Sequence, residues 1–308
     1  MHMNWDTPTL AANEWVTQIN GISLTMKRED LLHPHISGNK WRKLKYNLRD
    51  FDRHRYAGIA TFGGAYSNHL VATARAGKLM QLPTWGFVRG DELAHLPLNP
   101  TLNYSVQQGM QLVFLSRSAY AQKEASPQVQ TICAKYTLFL LPEGGTNPLA
   151  VKGCEEIITA ADAAFDTVCC AVGTGGTFMG ILNSLHPHQQ AMGFVTVNDA
   201  TVTHALTRHA QERQCELALI PTYATSRYGT LTNEEVAFIN DFTQKTKIPL
   251  DPIYTGKMLF GIFASIERHQ WTGGKKVLMI HTGGLQGIAG FNARQQAKGK
   301  PVIVSFFP

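Results

Sequence analysis

The feature that most constrains the fold is a regular alternation of short apolar runs with helix-period stretches, joined by glycine-rich turns. "GISLTM" (21–26) and "AGIATFGG" (57–64) read as strands, and "SNHLVATARAGKLM" (67–80) reads as a helix. "TWGFV" (84–88) is a strand, "TLNYSVQQGM" (101–110) a helix, and "LVFL" (112–115) and "LFLL" (138–141) two more strands. A helix over 148–164 precedes the strand "DTVCCAVG" (166–173), which leads into the helix "TFMGILNSL" (177–185). "GFVTV" (193–197) and "KVLMIHTGG" (276–284) read as strands flanking helices over 233–246 and 256–269. This pattern predicts an α/β fold with mostly parallel sheets flanked by helices. Such sheets bind ligands at the carboxyl ends of their strands. Four glycine-rich turns follow strand-like runs, namely "FGGAYSNH", "PEGGTNP", "VGTGGTF" and "HTGGLQG". Together they predict one crevice lined by backbone N–H groups, suited to a small anionic ligand.

The chain has 308 residues, 44% of them hydrophobic and 16% charged, enough for one large domain or two ordinary ones and against disorder. The net charge of +6 is spread along the chain, which favours small anionic ligands over a nucleic-acid surface. Five cysteines with no C-x-x-C spacing read as reduced thiols of a cytoplasmic protein, with Cys169 and Cys170 in a buried strand. The first ten residues have no basic or apolar signal region, and no apolar run reaches the roughly 18 residues of a membrane span. The twelve histidines lack ligand spacing, so no metal site is expected.

Three motifs carry chemistry. In "AVGTGGTFMG" (171–180) a strand ends in glycines and Thr177 opens a helix, a phosphate cradle of backbone N–H groups and hydroxyls. The dinucleotide fingerprint half fits, because Phe178 stands where its third glycine belongs. Asp199, after the next strand, is in position for a ribose, so a nicotinamide-dependent oxidoreductase is an alternative. In "SGNKWRKLKYNLR" (37–49), Trp41, Leu44 and Leu48 share one helix face. Arg42, Lys43, Lys45 and Arg49 lie mostly off it and read as a solvated surface. Lys40 sits in the first helical turn, where the macrodipole and neighbouring cations lower its pKa and favour the free amine that Schiff-base chemistry needs. "YGT" (228–230) and "DPIYTGK" (251–257) each put a tyrosine in a loop, able to stack on a ring or move a proton.

Taken in order, "KRED" (27–30), "SGNKWRKLKY" (37–46), "GGAYSNH" (63–69), "GTGGT" (173–177), "YGT", "DPIYTGK" and "HTGG" (281–284) resemble the 1-aminocyclopropane-1-carboxylate deaminase/D-cysteine desulfhydrase family. That family belongs to the tryptophan-synthase-β-like, fold-type II pyridoxal-phosphate enzymes. The resemblance spans about residues 20 to 290. It implies a large cofactor domain (1–49 and 146–308) with a small α/β domain (50–145) inserted, pyridoxal 5'-phosphate as cofactor, and a cytoplasmic homodimer. It implies a lyase or deaminase, with hydrolase as a further class, and neither nucleic-acid nor membrane partners.

Carried over position by position, the resemblance implies that Lys40 bonds the cofactor aldehyde, while Lys43 is the second lysine of that motif. Ser67 would lie near the substrate carboxylate, with Tyr66 and His69 as further substrate contacts, and Asn68 would bond the cofactor's 3'-oxygen. Gly173, Thr174, Gly175, Gly176 and Thr177 would hold the phosphate, Tyr254 and Tyr228 would be the catalytic tyrosines, and Thr282 would be a cofactor contact. A single phosphate needs no third glycine, which leaves Asp199 an ordinary strand-end residue.

Ring-opening members resemble D-P-x-Y-E-G-K, with a carboxylate facing the pyridine nitrogen, and carry a leucine in the later H-x-G-G motif. Here these positions are Thr255 and Thr282, as in the desulfhydrase branch. Without an anion the pyridine nitrogen stays unprotonated and the ring is a weaker electron sink, which suits β-elimination. The expected reaction is therefore α,β-elimination from a small amino acid, D-cysteine first, giving pyruvate, ammonia and sulfide. Ring-opening deamination and amino-acid racemisation are the alternatives. Tyr66 replaces a glutamine, Trp41 replaces a smaller residue beside Lys40, and the approach "LLHPHISGNK" lacks a second glycine, changes expected to reshape the pocket.

Overall fold

The computed structural model describes Trp5, residues 11–222 and residues 229–304. Chain order runs β1 (Asn13–Ile19), β2 (Ile22–Lys27), α1 (Asn39–Arg49), β3 (Gly58–Gly63), α2 (Asn68–Met80), β4 (Thr84–Arg89), α3 (Pro100–Gln107), β5 (Met110–Leu115), α4 (Arg117–Ala121), α5 (Pro127–Tyr136) and β6 (Leu138–Leu140). It continues with α6 (Pro148–Cys154), β7 (Thr167–Val172), α7 (Gly176–Ser184), β8 (Gln190–Val195), α8 (Ala200–Glu212), β9 (Leu217–Pro221), α9 (Asn233–Thr246), α10 (Thr255–Glu267), β10 (Lys276–Ile280) and α11 (Gly287–Gln296).

Two sheets result. One has the order β1-β2-β10-β7-β8-β9 and the other β5-β4-β3-β6. Every pairing is parallel except β1 with β2. The fold class read from the alternation is thus the one observed. Strands covered on both faces read as continuous apolar runs, and β7, "TVCCAV", is buried at every residue. All five cysteines are free thiols, with Cys154, Cys169 and Cys170 buried. No helix among the described residues is long and apolar enough to cross a membrane.

α1 packs along α6 and beside α2, and its apolar face enters a core with Ile59, Ala72 and Leu141. Leu44 and Leu48 are buried there, at about 1.5–3 kcal/mol each. Trp41 joins this core, 4.9 Å from Trp5 and stacked on His33 at 5.8 Å between ring centroids. It turns away from the crevice, so the expectation that Trp41 reshapes the pocket is corrected.

Two predicted helices are shorter in the structure. The 101–110 helix ends at Gln107, because Gly109 adopts φ +94° and turns the chain into β5. The 148–164 helix ends at Cys154 and gives way to isolated turns. Thr159 and Asp162 form a reciprocal cap that starts a new turn at Ala160. The Asp162 carboxylate is also drawn out of the helix path by a buried ion pair with Lys27 and by the Asn13 amide at 2.7 Å.

Candidate active site

The glycine-rich turns converge where the carboxyl ends of β3, β6, β7 and β10 approach the start of α1. The approach is close. Gly38 has φ +59°, and a Cβ on it would lie 2.0 Å from the Thr282 carbonyl oxygen. Only glycine fits, by conformation and by space. The next residue, Asn39, donates its backbone N–H to that carbonyl at 3.2 Å and its side-chain amide to the Thr177 hydroxyl at 2.9 Å. Thus β10, α7 and α1 are tied together one residue before Lys40.

Lys40 donates its amine to Asn39 Oδ1 at 3.1 Å. Its pKa is lowered to about 7, first by burial among the surrounding groups and then by the Lys43 charge. The sequence argument reached the right direction through dipole and cations, whereas burial is the larger cause.

The pocket wall is formed by Lys40, Asn68, Gly173, Thr174, Gly175, Thr177, Tyr254 and Thr282, all expected, together with Ser37, Asn39, Lys43, Gly144, Ala171, Val172, Phe178, Gly283 and Gly284. Ser67, His69, Tyr66 and Gly176 are not on that wall. Ser67 caps α2, its hydroxyl accepting from Leu70 N at 3.3 Å. His69 is 2% exposed, and neither ring nitrogen has a protein partner. Burial, with the charges of Lys40 and Lys43, holds its pKa well below the ordinary value, so the ring is neutral. Tyr66 is half-buried and lies flat on α11, where a Cβ on Gly290 would be 2.3 Å from the ring. Gly176 packs against Thr146. Tyr228 lies outside the described residues.

The cradle at the end of β7 has the chemistry of a phosphate site. Gly175 takes φ +83° and exposes the free N–H groups at the start of α7. Lys43 reaches the same place, its ammonium donating to Gly144 O and Thr146 Oγ1 at 3.0 Å each and to Thr174 Oγ1 at 3.4 Å. Tyr254 stands over the other side, with its ring 3.0 Å from where a Gly173 Cβ would be. The backbone N–H of Tyr254 is held by Asp251 at 2.7 Å. Asn68 Oδ1 is buried without a protein partner, at the wall. Thr255 is fully buried behind the wall, so of the two positions that differ from ring-opening members only Thr282 meets the pocket.

The expectation of a solvated cationic surface on α1 is corrected, because Arg42, Lys43 and Lys45 are all buried. Arg42 makes two bonds to Glu29, at 2.9 and 2.8 Å, and one to Glu156 at 3.2 Å. Lys45 bonds both Glu156 oxygens, at 2.7 and 2.9 Å. The carboxylates come from distant segments, 13 and over 100 residues away in sequence, so no local pattern on α1 announces them. Arg49 alone of the four is not buried, and it pairs with Asp50. Asp199 caps α8, its Oδ1 accepting from Thr201 N at 2.9 Å and Val202 N at 3.4 Å. This capping role is what the resemblance implied for it, an ordinary strand-end residue.

A crevice of this kind, with a phosphate cradle on one side and a low-pKa lysine on the other, defines an α/β enzyme built around a phosphorylated aldehyde cofactor. Comparison with known proteins agrees. A family profile described as "Pyridoxal-phosphate dependent enzyme" matches residues 2–283, and the chain belongs to that family. The bifunctional D-cysteine desulfhydrase/1-aminocyclopropane-1-carboxylate deaminase of Arabidopsis thaliana is 29% identical over 301 residues, covering 87% of this chain and 74% of that protein. A D-cysteine desulfhydrase of Yersinia pestis is 25% identical over 295 residues, covering 88% and 89%. The crystal structure of an ACC deaminase homologue superimposes with a TM-score of 0.79 at 25% identity, covering 94% of this chain and 93% of that one. The chain is a fold-type II pyridoxal-phosphate enzyme of the lyase/deaminase kind. The hydrolase expectation is corrected, since these relatives indicate a lyase.

The residues present fit that cofactor. The α7 N–H groups and Lys43 match a phosphate dianion, the Asn68 amide on the wall can donate from Nδ2 to a ring oxygen, and the Lys40 amine matches an aldehyde.

Proposed function

We propose that the protein catalyses α,β-elimination from a small amino acid with a β-leaving group, D-cysteine first, giving pyruvate, ammonia and sulfide. The observation that carries this reading is the wall itself. Lys40 faces threonine, asparagine and tyrosine, and among the described residues no carboxylate lines the pocket. Thr255, at the position where ring-opening members carry a carboxylate, and Thr282 on the wall are both neutral hydroxyls, so neither supplies the anion that would keep a pyridine nitrogen protonated. The desulfhydrase activity by which the Arabidopsis and Yersinia relatives are named supports the substrate.

Pyridoxal phosphate supplies an aldehyde that bonds an amine and a ring that draws electrons from the neighbouring carbon. The protein's own groups do the rest. The α7 N-terminus and Lys43 would hold the phosphate, Tyr254 would cover the ring, and the Asn68 amide would donate to the 3'-oxygen. Gly176 contributes to the phosphate turn from behind the wall. Ser67, at the start of α2 with its free N–H groups, orients the substrate carboxylate, and Tyr66 and His69 shape that end. Lys40, half free amine at about pH 7, takes the proton from the substrate α-carbon at Nζ. The carbon–sulfur bond breaks, sulfur leaves as hydrosulfide, and the three-carbon remainder takes up water to give pyruvate and ammonia. Tyr228 and Tyr254 are the candidate groups to pass a proton to the leaving sulfur.

The same reading includes a two-domain division at residues 50 and 145, supported by the two separate sheets, and a homodimer in the cytoplasm, supported by resemblance. The test is an assay of the purified holoenzyme with D-cysteine, L-cysteine, D-serine and 1-aminocyclopropane-1-carboxylate. Pyruvate and sulfide from D-cysteine are expected. 2-Oxobutyrate from the cyclopropane substrate, without pyruvate from D-cysteine, would replace elimination by ring opening.

A further inference from the structure

We propose that Asp251, whose side chain is off the pocket wall, is a positioning residue that assembles two parts of that wall, the Tyr254–Thr255 turn and the Gly283–Gly284 turn, around one buried carboxylate. The side chain is 1% exposed. Its Oδ1 accepts the backbone N–H groups of Ile253 at 2.9 Å and Tyr254 at 2.7 Å, and its Oδ2 accepts that of Thr255 at 2.8 Å. Its own carbonyl accepts Gly256 N at 3.0 Å. These bonds close the turn that opens α10 and set the backbone from which the Tyr254 ring projects toward Gly173. The positive end of α10 and three donors explain how a carboxylate is kept in so dry a place.

On its other side Asp251 meets the Gly284 turn. A Cβ on Gly284 would lie 3.4 Å from Asp251 Cγ and 3.0 Å from Asn68 Nδ2. Gly284, at φ +99°, is thus wedged between the carboxylate and the α2 asparagine. One side chain therefore sets the spacing of the Tyr254 turn, the Gly284 turn and Asn68.

The groups that face Asp251 are Tyr254 in its own turn, Lys40 from α1 and His281 after β10. His281 Nε2 pairs with Pro249 O at 2.7 Å, and its Nδ1 accepts Gly283 N at 3.1 Å. Burial and then the Lys43 charge lower the Lys40 pKa, Cys154 and then Asp251 raise it, and burial raises the pKa of Asp251 itself. Asp251 therefore also limits how far the amine loses its proton. The inference rests on the role given to Lys40 in the proposed function.

Asp251→Asn keeps the shape and the Oδ1 bonds but removes the charge. In cofactor-free protein, acylation of Lys40 followed against pH by mass spectrometry reads its titration directly, without turnover. The midpoint is expected to move to lower pH by roughly 1 unit, the low end of what one nearby opposite charge does. Asp251→Ala, which also frees the turn, should bind pyridoxal phosphate more weakly than Asp251→Asn, while both keep a cooperative melt. Pyridoxal phosphate affinity in Asp251→Ala equal to that of the wild-type protein would overturn the inference. Should neither variant fold, hydrogen exchange of the wild-type protein decides, because the amides of Ile253, Tyr254 and Thr255 must be protected and free exchange would sink it. A shifted midpoint in a protein inactive on D-cysteine keeps this inference and removes the substrate reading alone.

Discussion

Asn39 joins the lysine helix to the phosphate helix, because its side-chain amide donates to the Thr177 hydroxyl at 2.9 Å while its Oδ1 accepts from Lys40 Nζ at 3.1 Å. The two halves of the cofactor site are therefore set by one side chain. Asn39→Ala removes both bonds, and a typical net hydrogen bond contributes about 1 kcal/mol. Cofactor affinity should fall roughly five- to tenfold. Thr177→Val, which removes only the hydroxyl, should lose less. Titration of the cofactor-free variants with pyridoxal phosphate checks this, and equal affinity in all three proteins would show that the Asn39–Thr177 link is not part of the site.

The Lys40 amine gives a pH prediction with a definite sign. Folding lowers its pKa from 10.5 to about 7, so the unfolded chain binds more protons between those values. This lysine therefore costs stability at and below pH 7, and the cost fades as pH rises toward 10. Cofactor-free Lys40→Met should melt at a higher temperature than wild type at pH 7, with the gap closing by about pH 10. Lys43→Met removes the charge that helps to lower Lys40 and should move Lys40 acylation to higher pH. A gap in melting temperature that stays constant with pH would contradict burial as the cause.

Tyr66 depends on the absence of a side chain at Gly290, where a Cβ would be 2.3 Å from the ring. Gly290→Ala must swing the tyrosine off α11, beside the segment that starts α2. Ala favours the helix by roughly 1 kcal/mol over Gly. The global fold should survive, and the effect should fall on KM for the amino acid more than on cofactor affinity. A KM equal to that of wild type would detach Tyr66 from the substrate end.

The sheets and the chemical lysine were legible in the sequence because both rest on local signals. Buried strands such as β7 are unbroken apolar runs, and Gly38, Asn39 and Lys40 sit in a motif whose glycine is demanded by a close approach. Elements without such signals escaped. β1 is an edge strand exposed at four of its seven residues, including Trp15, and shows no clean alternation. α8 interleaves threonine and histidine with few apolar positions and buries only Leu206 and Ala210. α4, α5, β9 and α11 were likewise not anticipated. Lys43 was read as surface because its acceptors, Gly144, Thr146 and Thr174, come from loops about 100 residues downstream or more. Helical spacing shows which face a cation occupies, but not that another element brings a carboxylate or carbonyl to meet it.

The Glu29–Arg42 pair is the sharpest case of such a long-range match. Glu29 is fully buried, Arg42 is 3% exposed, and two parallel N–H bonds of 2.9 and 2.8 Å join them. Burying both charges is expensive, and their attraction with ideal fork geometry offsets it. Removing one partner leaves the other desolvated. Glu29→Gln should therefore destabilise the protein by about 3 kcal/mol, the lower end for a broken buried pair, because Arg42 keeps Glu156 at 3.2 Å. Arg42→Met should cost about as much by stranding Glu29. The double variant Glu29→Met/Arg42→Met removes both charges and should recover most of the loss, since apolar replacement of a buried pair is often neutral. Urea unfolding of the four proteins measures the coupling. If the double variant loses as much as the two single losses added together, the two residues act independently and the pair does not brace α1 behind Lys40.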